Sequence, residues 1–339
     1  MMNYPQTLTQ LLERRDLTHV DMLELMHQIM GGQLTAAQIA GVLVALRVKG
    51  ETVTEIAAAA QVMRELSTKV NVQEDLHLID TCGTGGDGAQ TFNISTASAI
   101  VAAAAGARVA KHGGRSVSSK CGSADILEKL GVNVNLTPEQ VARCVESIGV
   151  GFMFAPNHHS AMKYAAPVRK ELGVRTLFNL LGPLTNPAGA KNQVMGVFLR
   201  DLTGKLARVL QQLGSQHVLV VHGSDGMDEI SISAPTFIAE LKDGRLTEYT
   251  VSPEDFGLKS APVNAIQVTD AASAKAMLQS VLDNESGAAR DIVLLNAGAA
   301  IYVAGLADSL LHGVNTAAAT IASGAAKNKL TQLIQVSNA

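Results

Sequence analysis

The sequence predicts an α/β protein that begins with a helical segment. Apolar side chains in residues 5–66 recur at helical spacing throughout. From about residue 76 onward, short apolar segments alternate with helical ones, which is typical of a mainly parallel central sheet covered by helices. We therefore expect a small helical domain at residues 1–70 and a larger α/β domain at residues 71–339.

The composition determines what kind of core these domains can have. Hydrophobic residues make up 47% of the 339 residues, whereas aromatic residues make up 3% and Trp is absent. The core must therefore consist mainly of Ala, Val, Leu and Ile side chains. The formal net charge is −3 and no acidic or basic block stands out, so we expect neither a nucleic-acid partner nor a membrane surface.

The cysteines and the apolar segments indicate a cytoplasmic protein. The three cysteines form no Cys-x-x-Cys pair and, being odd in number, no complete set of disulfides, which fits a reducing compartment. We expect no signal peptide, because the N-terminus is polar. Apolar runs such as residues 292–303 are shorter than the roughly 20 residues that span a bilayer.

The N-terminal segment carries clear signals for helix starts. Thr35 with Gln38 and Thr52 with Glu55 have the spacing of capping boxes, in which each side chain caps the other residue's backbone N–H. A bundle of about 65 residues has little core of its own. We therefore expect it to bury its spare apolar face against the rest of the chain or against a second copy.

The stretch from Asp80 to Thr96, DTCGTGGDGAQTFNIST, carries the strongest functional signal. A strand is predicted before it, at 76–79, and an Ala-rich helix after it, at 95–105. Glycines leave backbone N–H groups accessible to an anion, and the start of a helix adds free N–H groups and partial positive charge. The spacing is neither that of a P-loop nor that of the Rossmann motif. A phosphate site and a tight strand-to-helix turn without a ligand both remain open.

A second polar stretch, Lys111–Lys120, follows a strand predicted at 108–110. It combines cationic side chains, hydroxyls and paired glycines, which together favour a second anion-binding loop. The alternative is a solvated turn.

Two further stretches contain candidate ligands. The pair His158-His159 has no third metal ligand at a fitting spacing, so we favour non-metal roles for it. Arg169, on the helix that follows, either pairs with a carboxylate ligand or faces water. Asp228-Glu229 follow a strand predicted at 217–222 and are suitable ligands for Mg²⁺, which bridges carboxylates and substrate phosphates; an exposed acidic loop is the alternative.

In this order, these motifs resemble the anthranilate phosphoribosyltransferase family of tryptophan biosynthesis along essentially the whole chain. The matching motifs are Asp80-x-x-Gly-Thr-Gly-Gly-Asp87, Asn93-Ile-Ser-Thr96, Lys111-His112-Gly113, Asn179-Leu-Leu-Gly-Pro-Leu-Thr-Asn-Pro187 and Asp228-Glu229. The resemblance implies a fold of the nucleoside phosphorylase and phosphoribosyltransferase type. Its helical domain is mostly N-terminal, receives a later contribution from about 165–190, and mediates homodimerisation.

The resemblance also implies the chemistry. The substrates are anthranilate and 5-phosphoribosyl 1-pyrophosphate (PRPP), the cofactor is Mg²⁺ at two ions per subunit, and the product is N-(5-phosphoribosyl)anthranilate. No residue is assigned as an acid or base. We expect Lys111 and Asp87 to contribute charge stabilisation, while His112 either accepts the amine proton late or has a structural role.

The resemblance assigns three groups of site residues. Those expected around PRPP are Gly83, Gly86, Asp87, Thr91, Asn93, Ile94, Ser95, Thr96, Lys111, His112, Gly113, Gly114, Arg115, Ser116, Val117, Ser118, Ser119 and Ser123. Those expected around anthranilate are Gly83, Gly114, His158 and Arg169, with Arg169 on the carboxylate. Those expected to hold Mg²⁺ are Ser95, Asp228 and Glu229.

One position departs from the family pattern. Gly114 stands where the family usually has Asn, whose side chain contributes to the anthranilate site. We expect any contact here to come from the backbone.

Two other functions are weighed against this one. A pyrimidine nucleoside phosphorylase shares the fold and a glycine loop, but has no need of the pair Asp228-Glu229, and its phosphate loops differ from Lys111-His112-Gly113. A non-catalytic homologue that binds nucleic acid should be basic on one face, which the net charge of −3 disfavours.

Overall fold

The computed structural model describes residues 3–73, 76–115 and 121–339. A seven-stranded sheet with the order β3-β2-β1-β4-β5-β6-β7 forms its centre. The strands are β1 Leu78–Gly83, β2 Arg108–Gly113, β3 Val150–Phe154, β4 Asn192–Gly196, β5 His217–Gly223, β6 Thr236–Lys242 and β7 Arg245–Val251. Strands β1 to β5 run parallel to one another, β6 runs antiparallel to β5, and β7 runs antiparallel to β6. The predicted α/β class with a mainly parallel sheet is confirmed.

Four helices precede the sheet. They are α1 Tyr4–Leu12, α2 His19–Met30, α3 Ala36–Lys49 and α4 Val53–Glu65. Both predicted capping boxes are present, since Thr35 and Gln38 cap α3 reciprocally and Thr52 and Glu55 cap α4. The helical start of the chain is confirmed.

Helices connect and cover the strands in the rest of the chain. They are α5 Ile94–Ala104, α6 Ser123–Leu130, α7 Pro138–Ile148, α8 Ala155–His158, α9 Ala166–Leu172, α10 Phe178–Leu181, α11 Leu202–Gln212, α12 Ala271–Leu282, α13 Ala288–Val303, α14 Leu310–Ala322 and α15 Ala325–Ser337. Among the described helices, none is both long enough and apolar enough to cross a bilayer.

The two faces of the sheet belong to different apolar cores. Leu219 and Val221 of β5 pack with α5 and α13 on one face. Val218 and Val220 of the same strand pack on the other face with α11 and with the side chains of α2, α3 and α4. This alternation is the period-two pattern of a strand that is buried on both sides. The helical segment therefore shares one continuous core with the sheet.

Several predicted boundaries were wrong by a few residues. The first strand begins at Leu78, because Leu76 is 59% exposed, and it runs on through Gly83 into the polar motif. Likewise, β2 extends to Gly113, so Lys111 and His112 lie in a strand and not in a loop. Polar side chains are tolerated there because the carboxyl ends of parallel strands form the functional edge of the sheet.

The sequence also predicts helices at 291–303 and 316–323, and both starts are too late. The second begins at Leu310, where the Ser309 side chain accepts a hydrogen bond from the His312 amide, and the first begins at Ala288. Asp243-Gly244, between strands expected at 236–241 and 245–251, predicts a type I′ hairpin turn. This turn is confirmed, since both residues have positive φ.

Candidate active site

The candidate site lies at the carboxyl ends of β1, β2 and β4. The first strand, β1, pairs with β2 on one side and with β4 on the other. The chain therefore adds β2 and β3 on one side of β1 and then continues with β4 on the other side, which reverses the strand order at this point. Ligands of open α/β sheets bind at such a reversal. Gly83, at the end of β1, and Lys111 to Gly113, at the end of β2, meet at this edge.

The loop between β1 and α5 is built from glycine conformations. Gly85, Gly86 and Gly88 all have φ between 64° and 76°, a region that side chains rarely adopt. The Gly85 amide donates to Oδ2 of Asp228 at 2.8 Å, and the Asp228 amide donates to Oδ2 of Asp87 at 3.4 Å. The loop is thus joined to the acidic turn after β5.

The start of α5 presents polar atoms that lack partners. Among the described residues, the buried atoms Asn93 Oδ1, Thr96 Oγ1 and Ser98 Oγ have no hydrogen-bond partner. An unpaired buried polar atom costs free energy, and such atoms in a native site call for a ligand or an ordered water. The Asn93 amide nitrogen donates to the Cys121 carbonyl oxygen at 3.0 Å, which fixes the side chain at the helix start.

The acidic pair Asp228-Glu229 lies directly across from this helix start. Burial and the neighbouring Asp87 carboxylate raise the pKa of Asp228 to about 7. Burial and Asp228 raise the pKa of Glu229 well above its usual value, although Lys111 and the Ser95 amide act in the opposite direction. The positive charge near this pair is therefore too small to keep both carboxylates ionised.

Lys111 is a cation that lowers the pKa of Glu229, and hydrogen bonds hold its ammonium group from two sides. Its Nζ donates to the Thr81 carbonyl oxygen and, at 3.2 Å, to Oγ of Ser95. An ammonium group has three N–H donors. Within the described chain, one of them is therefore available to a ligand.

A buried carboxylate supports the strand that carries Lys111. Asp80 is fully buried; its Oδ1 accepts from the His112 amide at 3.1 Å and its Oδ2 from the Asn186 side chain at 2.7 Å. Asn186 also donates to the Ala110 carbonyl oxygen at 2.9 Å. The segment containing Asn186 is thereby joined to β1 and β2 at the edge of the site.

Three histidines lie together beside β2. Nε2 of His112 and Nε2 of His159 are 3.2 Å apart, and Nδ1 of His158 is 2.9 Å from the Thr68 carbonyl oxygen. Burial, followed by the neighbouring His159, lowers the pKa of His112 to about 3, and burial lowers that of His159 to about 4. These rings are neutral at pH 7 and are weak bases. In the described structure, His158 Nε2 is buried without a partner.

Two predicted arginines make contacts of their own. Arg115 pairs with Asp125 and Glu128 of α6 at 2.8 and 2.6 Å, so α6 already neutralises its charge. The guanidinium of Arg169, on α9, lies 5.4 Å from the centre of the Phe178 ring.

The remaining predicted residues fall into three groups. Thr91 lies just before α5 and Ile94 is its first residue, while Ser123 is the first residue of α6, beside Gly113. At Gly114, a Cβ atom would meet open space. Ser116, Val117, Ser118 and Ser119 lie outside the described residues.

Sequence reasoning assigned no role to Arg175 or Gly196. Arg175 donates to the Gly86 carbonyl oxygen although the two residues are 89 positions apart. A Cβ at Gly196, on β4, would lie only 1.5 Å from the Asp228 carbonyl oxygen. Arg175 lies in the turn-rich stretch 173–190, but no local pattern indicates its partner.

The donor set at this edge fits Mg²⁺. Asp228, Glu229 and the Ser95 hydroxyl offer the oxygen ligands that this ion prefers. Within the described ranges, no group of three or more His, Cys, Asp or Glu residues is arranged to hold a metal ion. An ion bound here would therefore complete its coordination with water or substrate oxygens, as Mg²⁺ commonly does.

Comparison with known proteins identifies the family. Residues 5–67 match the helical bundle domain of the glycosyl transferase family, and residues 75–327 match its a/b domain. Anthranilate phosphoribosyltransferase of Thiobacillus denitrificans is 64% identical over 337 residues, covering 99% of this chain and 98% of that protein. This chain belongs to the anthranilate phosphoribosyltransferase family.

Solved structures of the anthranilate phosphoribosyltransferase family share the fold. The enzyme from Thermus thermophilus is 42% identical, with a TM-score of 0.93 and complete coverage of both chains. The Saccharomyces cerevisiae enzyme in complex with PRPP and Mg is 26% identical, with a TM-score of 0.88 and coverage of 99% and 98%. The same yeast enzyme in complex with 4-fluoroanthranilate is 25% identical, with a TM-score of 0.87 and 98% coverage of each chain. The predicted family is confirmed, and with it a pentosyltransferase activity.

Proposed function

We propose that the edge formed by β1, β2 and β4 is the active site of the reaction that this family catalyses. The reaction transfers the 5-phosphoribosyl group of PRPP to the amine of anthranilate, giving N-(5-phosphoribosyl)anthranilate and pyrophosphate, in L-tryptophan biosynthesis. The observation that carries the placement is the cluster of unpaired polar atoms at the start of α5, opposite the acidic pair Asp228-Glu229.

The donor diphosphate fits between the glycine loop and Lys111. Gly86 and Gly88 carry no Cβ atom that would cover their backbone N–H groups, and the start of α5 adds partial positive charge. Lys111 donates to the Ser95 hydroxyl at this helix start, and its remaining N–H donor would bind the same diphosphate. As the C1–oxygen bond breaks, negative charge grows on pyrophosphate, and these preorganised donors stabilise it.

Asp228, Glu229 and Ser95 would hold Mg²⁺, which would supply a Lewis acid for the diphosphate oxygens. We propose two ions per subunit. Asp87 would hold the turn that carries both acids, since its carboxylate accepts the Asp228 amide.

The acceptor amine requires little help from the protein. An aromatic amine is uncharged at neutral pH and attacks without prior deprotonation. The low pKa of His112 makes it a weak base, which disfavours proton transfer. Its contact with His159 favours a structural role instead.

Anthranilate would bind on the side of α9. Arg169 would hold its carboxylate, a charge-assisted contact that orients the amine towards C1 of the ribose. His158, whose buried Nε2 has no partner among the described residues, would provide a second contact. Gly114 would offer only its backbone, and the space around it leaves the pocket wider than an asparagine would.

An apolar groove between α1 and α3 fits a second copy of the chain. Leu12 and Val48 are 68% and 65% exposed there, and Val44 is 42% exposed. Contiguous exposed apolar surface of this kind marks an interaction site. We propose that this helical face, within residues 1–70 and about 165–190, forms the homodimer.

A charged substitution in this groove tests the dimer. Val48→Glu should halve the mass measured by analytical ultracentrifugation, whereas Leu311→Glu, at an exposed position on α14 outside this face, should not. A wild-type monomer, or a Val48→Glu dimer, would contradict the proposal. The cytoplasmic location stays a prediction.

A direct assay tests the function. Loss of anthranilate fluorescence should require both PRPP and Mg²⁺ and should produce one pyrophosphate for each anthranilate consumed. Phosphorolysis of thymidine without consumption of anthranilate would favour a nucleoside phosphorylase instead.

A further inference from the structure

Arg175 lies where the helical part of the protein meets the sheet domain. It belongs to the short segment between α9 and α10. On its N-terminal side, Val168 of α9 is packed into the core that the helical bundle shares with the sheet. On its C-terminal side, Phe178 and Leu181 of α10 belong to the same core. The backbone at Arg175 is therefore anchored on both sides.

The side chain of Arg175 reaches from this anchored segment to the glycine loop. Its Nη2 donates to the carbonyl oxygen of Gly86. Its guanidinium stacks on the Phe198 ring, with Cζ 4.0 Å from the ring centre. A Cβ at Gly86 would lie 3.4 Å from Nη2, in van der Waals contact with the guanidinium, so the loop lies directly against this side chain.

Phe198 is itself joined to the same loop. Its amide donates to the Thr84 hydroxyl at 3.2 Å, and the Thr84 amide donates to the Gly196 carbonyl oxygen at 2.9 Å. Arg175, Phe198, Thr84 and Gly86 thus form a closed ring of contacts around one side of the loop. The acidic turn at Asp228 holds the other side through the Gly85 amide.

A loop of this composition needs such outside contacts. Glycine loses more conformational entropy on ordering than any other residue. Three glycines in positive-φ conformations occur within four residues here. The amides that face the donor diphosphate keep their direction only if the loop is held, and preorganised donors are what stabilise developing charge.

We propose that Arg175 is a positioning residue that fixes the glycine loop in its PRPP-binding conformation. The inference rests on the proposed function, because it names the donor as the ligand of this loop. Arg175 acts through the Gly86 carbonyl group and not on the reacting atoms. Its loss should weaken PRPP binding and leave the acceptor side unaffected.

The chain contains a matched control. Arg200 also stacks on a phenylalanine, with Cζ 3.9 Å from the ring centre of Phe237, but its partner ring lies on β6. Arg175→Ala and Arg200→Ala therefore remove the same side chain from the same kind of aromatic contact. Only the first also removes a donor to the glycine loop.

The test compares PRPP binding and steady-state kinetics. Isothermal titration of PRPP with Mg²⁺, without anthranilate, should show about tenfold weaker binding for Arg175→Ala and no change for Arg200→Ala. The KM for PRPP should rise by a similar factor, while the KM for anthranilate at saturating PRPP stays within twofold. Arg175→Lys, which keeps a donor, should recover most of the loss.

The outcomes separate this inference from the proposed function. Unchanged PRPP affinity in a folded Arg175→Ala protein overturns the positioning role, even when wild-type activity is as proposed. An equal loss in Arg200→Ala also overturns it, since the effect would then come from general stability. Absence of anthranilate consumption by the wild type would instead refute the function itself.

Discussion

Replacing Gly196 by alanine tests whether the backbone of β4 determines the position of the acidic pair. Gly196 touches no proposed substrate and is not a metal ligand. A Cβ placed there would lie 1.5 Å from the carbonyl oxygen of Asp228, and 2.5 Å from its carbonyl carbon. These are backbone atoms, so no side-chain rotation relieves the clash.

The size of the effect follows from the distances. Real Cβ contacts below 3.0 Å essentially do not occur, so the Asp228 carbonyl group must move by about 1.5 Å. A misplacement of about 1 Å in an active site costs about 100-fold in rate. We therefore expect kcat/KM to fall by about 100-fold or more, and overpacking of this kind to lower the free energy of unfolding by about 1–3 kcal/mol.

The assay follows anthranilate fluorescence across a titration of Mg²⁺. Because Asp228 is a proposed metal ligand, Gly196→Ala should also need a higher Mg²⁺ concentration for half-maximal rate. Gly204→Ala is the control, since the added Cβ would meet only the carboxylate tip of the exposed Glu248 side chain, which is free to move away. A thermal unfolding scan shows that each variant is folded.

Full activity and an unchanged Mg²⁺ requirement in Gly196→Ala would refute this reasoning. That outcome would mean that Asp228 and Glu229 reach their metal-binding position without support from the backbone of β4. The same loss in Gly204→Ala would show that the assay responds to any added methyl group.

Three further predictions concern the site directly. Lys111→Ala should lower turnover by about 100-fold, because one donor to the developing anion is removed. Single-turnover kinetics measure this rate, and an unchanged rate would exclude Lys111 from leaving-group stabilisation. Arg169→Ala should chiefly raise the KM for anthranilate, and an unaltered value in a steady-state series would place Arg169 outside the acceptor pocket. Without metal, the raised pKa of Asp228 means that the folded state binds more protons than the unfolded state between about pH 4 and 7. The stability of the metal-free protein should therefore decrease as pH rises through that interval, and Mg²⁺ should bind more tightly at pH 8 than at pH 6. Calorimetric scans with EDTA test the first expectation, and Mg²⁺ titrations at both pH values test the second. A pH-independent Mg²⁺ affinity would contradict the reasoning.

Local signals in the sequence were sufficient for much of the fold. Thr35, Thr52 and Thr137 are each followed three residues later by Gln or Glu, the spacing that predicts a capped helix start, and each caps a helix. These starts were predictable because the hydrogen bonds involved join residues only three apart. The turn at Asp243-Gly244 was predictable for the same reason, since its positive φ angles depend on residue type.

Contacts between distant segments were not predictable in this way. The approach of Gly196 to Asp228 and the bond from Arg175 to Gly86 depend on how the strands and helices pack, which no local pattern encodes. Lys111 was expected in a loop because it is the first residue of the polar stretch that follows the strand predicted at 108–110. The structure accommodates it because Thr81 and Ser95 accept its hydrogen bonds.

The core shared by the helical bundle and the sheet has a consequence for how the chain can be divided. Met26, Leu43 and Ile56 of the bundle belong to the same apolar cluster as Val218 and Val220 of β5. Removal of the first 66 residues would expose apolar surface on that side of the sheet to water. The free energy of unfolding would then fall by about 25 cal/mol for every Å² of apolar surface exposed. Although residues 5–67 and 75–327 match separate family models, we therefore expect that neither the helical segment nor the sheet domain folds stably without the other.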